Sequence, residues 1–279
     1  MKFLSLIVLG LISFQATAQY YYNDIIGTTE TNRLMKNYRA NKVKMVTTVG
    51  IDQYGAKNDT YGEVQEVREN GTVLKTSTRN NTQVSVYYNR FDAQGRLISI
   101  TDSSAGLINV ITYQYDAEDR IKLIQNTTAD AANDFNQIES HHWTYDATGN
   151  PLKMWRTINN ADSLEIRFIP DENGLPGDEK TFRRGIETGA VYYYYDENKR
   201  LTDVVRYNLK LKKLLPDMMF EYDEQNRVIQ KITTTPSLKV SYLIWRYIYD
   251  NKGLKTKEAL FNDDKQLTGK IEYSYTFNQ

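Results

Sequence analysis

Two histidines, a series of regularly placed aspartates and 22 tyrosines are the side chains of this 279-residue chain whose type and spacing could do chemistry. His141 and His142 are adjacent. In a strand, neighbouring side chains point to opposite faces, so this pair cannot readily share a metal ion. One is expected to line a sheet and the other to meet solvent. The aspartates Asp92, Asp116, Asp146, Asp171, Asp196, Asp223 and Asp250 have the residue type of a calcium series or of paired catalytic carboxylates. Their successive spacings of 24, 30, 25, 25, 27 and 27 fit neither. Nothing matches a calcium-binding nonapeptide or an EF-hand loop. No G-x-S-x-G, H-E-x-x-H, phosphate-loop or dinucleotide fingerprint occurs either. No catalytic, cofactor-binding or metal-binding residue is assigned, and the expectation is a non-enzyme.

The aspartates instead mark a repeat. Six of them follow an aromatic and precede two variable residues, a turn former, often an arginine, and an aliphatic, as in Phe91-Asp92-Ala93-Gln94-Gly95-Arg96-Leu97. Asp at the head of a turn hydrogen-bonds a backbone N–H two residues on, and the variable pair takes a type I turn. The fourth position must then adopt positive φ to match strand twist. In the six intact copies it is Gly95, Asp119, Gly149, Lys199, Asn226 and Gly253; only Lys199 is a poor fit. Residues 169–175 form a degenerate seventh copy, and Ile51 to Gly55 a worn one. Arg96, Arg120, Arg200 and Arg227 are placed to pair with the aspartates of their own turns.

Strands must flank such turns. Entering strands end in alternating aromatics, Tyr113/Tyr115, Trp143/Tyr145, Tyr193/Tyr195, Phe220/Tyr222 and Tyr247/Tyr249, so one face is buried. Exiting strands such as Leu97 to Ile100 and Val228 to Ile232 are expected to alternate similarly. Second turns are expected at Ser103 to Gly106, Asn126 to Asp134, Asn159 to Asp162, Arg184 to Gly189, Asn208 to Pro216 and Asn262 to Asp264. Upstream, Asn70-Gly71 predicts a two-residue hairpin. A short helix is predicted over Thr29 to Asn41, with Leu34 and Tyr38 on one face. One repeat holds some four large apolar side chains, worth about 1.5–3 kcal/mol each when buried. That does not offset about 1–2 kcal/mol for each ordered residue. The copies must therefore stack.

Segments 91–101 (FDAQGRLISIT), 113–125 (YQYDAEDRIKLIQ), 195–206 (YDENKRLTDVVR) and 220–233 (FEYDEQNRVIQKIT) resemble the YD repeat of the Rhs/YD-repeat family. The resemblance covers about residues 87–277. It implies an all-β antiparallel meander of consecutive hairpins forming a curved or superhelical single sheet. Large members of that family enclose and deliver a C-terminal toxin. Here residues 271–277 carry no autoproteolytic core or toxin domain, so only the repeat architecture is carried over.

The first eighteen residues read as an address. Met1-Lys2, the apolar run Phe3 to Phe14 and Ala16-Thr17-Ala18 form a secretory signal peptide, leaving Gln19 as the new start. A lead-in (19–42) and a single repeat domain (43–279) follow. With no cysteine, disulfides and a lipid-modified N-terminus are excluded. Formal charge is zero, so no net field draws nucleic acid. The protein is expected to be periplasmic or secreted and not a lipoprotein.

The tyrosine excess offers the one functional lead. Tyr192 to Tyr195 run consecutively, which puts Tyr192 and Tyr194 on the face opposite the core. The leading reading is a non-catalytic exported β-repeat protein that binds or scaffolds an envelope protein or glycan. The alternative is a carbohydrate- or peptide-binding module using those aromatics. An exported hydrolase and an outer-membrane barrel rank lower, the barrel because Lys122, Asp203 and Lys231 interrupt what would be lipid-facing strands.

Overall fold

The computed structural model describes residues 20–102, 107–130, 132–209, 211–235 and 241–279. The leader and the turn expected at Ser103 to Gly106 lie outside them. One helix, α1 (Asn23–Ala40), precedes the strands. These are β1 (Val43–Asp52), β2 (Lys57–Asn58), β3 (Tyr61–Arg68), β4 (Val73–Asn80), β5 (Gln83–Phe91), β6 (Leu97–Asp102) and β7 (Ile108–Tyr115). Next come β8 (Ile121–Asp130), β9 (Phe135–Tyr145), β10 (Pro151–Ile158), β11 (Asp162–Pro170), β12 (Pro176–Arg183) and β13 (Ile186–Tyr195). The last are β14 (Leu201–Asn208), β15 (Lys213–Tyr222), β16 (Val228–Thr235), β17 (Ser241–Tyr249), β18 (Lys255–Phe261) and β19 (Leu267–Phe277).

The meander is antiparallel throughout, but it does not stay open. β1 pairs with β3 on one side and with β19 on the other, from Val43↔Phe277 to Asp52↔Gly269. The strands thus close into an 18-strand barrel, with β2 a two-residue addition on β1. This corrects the expected open or superhelical sheet. Closure removes both unpaired edges, and no local sequence feature reports on a contact between positions 43 and 277.

The seven motif turns form as expected. In each, the fourth residue has positive φ, from 60° at Lys199 to 90° at Gly149. Because the strands alternate in direction, all seven lie at one end, the motif end. The worn copy at Asp52 forms the same turn at the opposite end, with Gly55 N–H donating to Asp52 O at 3.1 Å. A further turn of the same type, Asn262 to Gln266, sits beside it, with Lys265 N–H on Asn262 O at 2.9 Å. At Asn70-Gly71 the expected two-residue hairpin is instead a 3₁₀ turn, Glu69–Gly71. Two other turns are tighter than expected: β8 runs on to Asp130, and β15 starts at Lys213.

The exiting strands do not alternate simply. A β-bulge follows each intact turn, as where Tyr115 pairs Ile121 but Gln114 pairs Leu123. The buried residues are therefore three apart: Ile121 with Ile124, and Leu201 with Val204. The entering aromatics do face inward, with Tyr113, Trp143 and Tyr193 buried.

An empty barrel of this strand number would leave a channel. Here α1 fills part of it. The helix begins six residues earlier than its sequence suggests, and its buried residues are Asp24, Thr28, Met35 and Tyr38; Leu34 is exposed. Gly27 and three threonines make the first half a poor helix former, and the threonine hydroxyls bond back to carbonyls, as Thr28 Oγ1 does to Asp24 O at 2.6 Å. The wall supplies what propensity lacks. Met35 and Tyr38 pack with Val46, Leu74, Phe91, Ile111, Trp143 and Ile166.

The two faces of the wall differ. Its inner face carries the apolar core, whereas its outer face carries charge ladders. Glu165 pairs with Lys153 and Arg167 at 2.9 Å each, and Glu272 with Lys257 and Lys270 at 3.2 and 3.6 Å. The two cations hold the Glu165 carboxyl down at about 2. Lys122 and Asp203 are outward, as expected. Lys231 corrects the expectation: it faces inward, with its ammonium 5.7 Å from the Phe220 ring, and burial lowers its pKa.

Candidate functional site

Four of the motif turns, those that carry Arg96, Arg120, Arg200 and Arg227, are locks between neighbouring repeats. In the copy at Asp116, Oδ1 accepts the N–H groups of Glu118 (3.0 Å) and Arg120 (2.8 Å), while Oδ2 takes Arg120 Nε at 2.7 Å. The Arg120 guanidinium then lies over the Tyr145 ring, 4.6 Å from its centroid. Tyr145 OH donates to Ile121 O at 2.7 Å. The same arrangement joins Arg96 to Tyr115, Arg200 to Tyr222 and Arg227 to Tyr249. The assigned turn residues Asp92, Gly95, Asp146, Gly149, Asp196, Asp223, Asn226, Asp250 and Gly253 all occupy motif turns with the same backbone bonds. Their carboxylates sit at separate hairpin tips and do not converge.

The helix is tied to these turns by side chains. Arg33 Nη1 donates to Asn226 O (2.9 Å), Asn37 Nδ2 to Gly253 O (2.9 Å) and Arg39 Nε to Gly71 O (2.6 Å). Asn32 Oδ1 accepts Leu97 N–H at 2.8 Å. So α1 spans the motif end and bonds turns from opposite arcs of the ring.

Deeper inside, β9 and β10 hold a charged relay. His141 Nδ1 lies 2.6 Å from Asp24 Oδ2 and its Nε2 2.9 Å from Glu139 Oε1. Arg156 grips Glu139 through Nε (2.7 Å) and Nη2 (2.8 Å), and Trp143 Nε1 donates to Asp24 at 3.2 Å. Burial pulls the imidazole pKa down, but Asp24 and Glu139 outweigh it and raise it to about 9. Burial pushes Glu139 up, but His141 and Arg156 prevail and bring it to about 2. An imidazolium so held is charged at neutral pH and cannot act as a base. The sequence missed Asp24 and Glu139, although Glu139 stands two residues from His141 on the same strand face. His142 is exposed, as expected.

A second polar cluster lies near the seam. Glu63 is 1% exposed, and burial raises its carboxyl to about 7. Its oxygens accept Gln65 Nε2 (2.9 Å) and Thr78 Oγ1 (3.2 Å). β1 pairs with β3 only over Met45 to Thr47 and then leaves it for β2. Thr48 Oγ1 patches the split by accepting Glu63 N–H at 3.0 Å. A cavity of about 380 Å³, lined by Thr48, Lys57, Tyr61, Glu63, Thr78 and Arg79 among others, opens there. Here a carboxyl raised to about 7 adjoins a cavity. Nearby, Lys255 pairs with Glu258 between the rings of Tyr247 and Tyr273. Among the described residues no cluster of His, Asp and Glu is arranged to hold a metal ion.

Tyr194 is half exposed on the outer face and Tyr192 less so. Their cross-strand neighbours are Asp178, Asp203 and Val205, not further aromatics. Asn126, expected at the start of a turn, lies instead within β8, its Oδ1 buried.

Residues 91–132 match the RHS Repeat family model, which bears out the repeat resemblance. No curated protein matches the chain. Among solved structures, the TcdB2–TccC3 complex is similar over 78% of this chain and 13% of that one, at 16% identity and a TM-score of 0.36. The Photorhabdus luminescens Tc holotoxin pore gives 15% identity, 78% and 12% coverage and 0.35. A porin-like protein from Bacteroides uniformis gives 10% identity, 84% and 98% coverage and 0.38. The chain thus spans about an eighth of the toxin chains it resembles.

Proposed function

We propose that this is an exported, non-catalytic β-repeat shell, closed around its own first helix, whose outer face binds or scaffolds a partner in the cell envelope. The observation that carries this reading is the polarity of the wall. Apolar and aromatic side chains pack inward around α1, while the outward face bears ladders such as Lys153–Glu165–Arg167. A lipid-facing barrel has the reverse order, and charge near the bilayer midplane costs about 2–4 kcal/mol per residue. Asp24, His141, Glu139 and Arg156 inside the barrel are engaged with one another, which supports a structural rather than a chemical role for them. Fractionation of expressing cells tests the proposal. Release with the soluble periplasmic or secreted proteins is expected. Retention in carbonate-washed membranes until detergent is added would establish the membrane barrel instead. A second reading, glycan or peptide contact, is favoured by the outward exposure of Tyr194 and Trp155.

A further inference from the structure

β1 leaves β3 after Thr47↔Val64 and takes up β2 only at Gly50↔Asn58. The cavity of about 380 Å³ at that split runs from the outer face of the wall, where Val84 is exposed, to the inner face, where Glu63 is enclosed. Val49, Val64 and Val84 line its outer part, and Thr48, Tyr61 and Thr78 stand with Glu63 at its inner part. Two glycines keep the passage open. At Gly50 a Cβ would stand 3.1 Å from Tyr61 Cδ1, so the ring would have to give way. Gly62 is the cross-strand neighbour of Arg79, and its bare backbone lets the guanidinium lean over β3 toward the split; a Cβ there would lie 3.8 Å from Nη2.

Charge changes sign along this passage. At the mouth, Arg79 is exposed and makes no ion pair with the described residues, and Lys57 reaches only Asp59, at 4.0 Å. At the inner end, no lysine or arginine among the described residues lies within ion-pair distance of Glu63. Lys255, whose charge bears on it, is engaged by Glu258. Glu63 accepts only Gln65 Nε2 and Thr78 Oγ1. Glu179, a carboxylate equally enclosed, is better supplied, with the N–H groups of Tyr21 and Tyr22 and the hydroxyl of Tyr193. An ionised carboxylate offers about four acceptor sites, so about two stay open on Glu63. A buried charge left without a counter-charge is strongly unfavourable.

We propose that this passage binds a slim ω-amino acid, a run of methylenes with an ammonium at one end and a carboxylate at the other. The ammonium meets Glu63, supplies the absent positive charge and donates to the open acceptor sites. The methylenes lie along Val49, Val64 and Val84. The carboxylate meets Arg79 at the mouth, whose planar fork suits it. A polyamine would set a second cation against Arg79 and Lys57, and a plain fatty acid would leave Glu63 uncompensated. The volume is that of a small-molecule pocket.

Calorimetric titration of the whole protein at pH 8 tests this with three probes: ε-aminohexanoate, hexylamine and hexanoate. The two-ended probe is expected to bind about tenfold or more tighter than either one-ended one, the worth of a charge-assisted bond. Glu63→Gln should weaken ε-aminohexanoate and hexylamine by a similar factor and leave hexanoate unchanged. Arg79→Gln should weaken ε-aminohexanoate and hexanoate and leave hexylamine unchanged. A second arm needs no variant. Burial raises the Glu63 carboxyl to about 7, so affinity for ε-aminohexanoate should rise about tenfold from pH 6 to pH 8, while the amine stays charged throughout. The other groups that face Glu63 hold their state in that window. Burial pushes up Tyr38 of α1, Tyr61 of β3, Tyr87 of β5 and Tyr273 of β19. On β18, burial pulls Lys255 down but Glu258 prevails and raises it, and Glu258 also accepts Tyr273 OH. No binding of ε-aminohexanoate in the millimolar range overturns the proposal, as does an affinity that neither Glu63→Gln nor pH moves. Hexylamine binding as tightly as ε-aminohexanoate also overturns it, because the cations at the mouth would then read nothing.

Discussion

The guanidinium of Arg120 lies over the ring of Tyr145, an aromatic from the following repeat, while its Nε holds Asp116 of its own turn. In the four copies that carry one, the arginine is thus shared between two repeats. That explains why aromatic, aspartate and arginine recur together. The aromatic closes the lock made by the copy before it.

Tyr145→Phe removes the bond to Ile121 O and keeps the ring. It should cost about 1 kcal/mol. Arg120→Ala should also lower stability, by removing the cation–π contact and a solvent-screened ion pair. Denaturant titration of the singles and the double checks the coupling. Strictly additive losses would show that the Tyr145 hydroxyl and the guanidinium act independently.

Lys199 occupies a left-handed position, φ 60°, that its side chain disfavours. Lys199→Gly should therefore stabilise the fold by roughly 1 kcal/mol. A lower denaturation midpoint would contradict the strain argument.

The tether between α1 and β9 predicts a pH dependence of definite sign. His141 is raised to about 9, so its contribution is fully present below pH 6.5 and is lost as pH rises through about 9. Glu139 is lowered to about 2, so its share is present above pH 4.5 and fades as pH falls through about 2. His141→Asn should thus flatten the alkaline limb of a stability–pH curve, with the acid limb less affected. An unchanged alkaline limb would show that the tether carries no charge.

Glu63 titrates in the opposite sense to Glu139. Raised to about 7, its carboxyl favours the fold below pH 4.5, and that advantage disappears as pH rises through about 7. Glu63→Gln should raise the thermal midpoint at pH 8 relative to wild type and change it little at pH 5. Equal shifts at both pH values would mean that burial of charge is not what Glu63 costs the fold.

Much of this was legible because it is local. Asp92 to Leu97 encode turn, cap and bulge within six residues, and positive φ at Asp119 and Asn226 follows from residue type alone. Closure was not legible, because Val43 meets Phe277 across nearly the whole chain and each strand would read identically in an open sheet. The helix was misplaced because Gly27 and its threonines form it only against a wall that Glu179 and His141 provide. The bulges hid Lys231, which a strict alternation sends outward.

Closure is the central claim, and a cysteine-free chain allows a clean test. Thr47 and Ser274 face each other across the β1–β19 seam. Opposed Cα atoms in such a pair lie about 4.5–5.5 Å apart, within disulfide range. A Thr47→Cys/Ser274→Cys protein, oxidised and run without reductant, is predicted to form an intramolecular disulfide in nearly all molecules. Free thiols, or disulfides found only between chains, would mean that the two ends of the sheet do not meet.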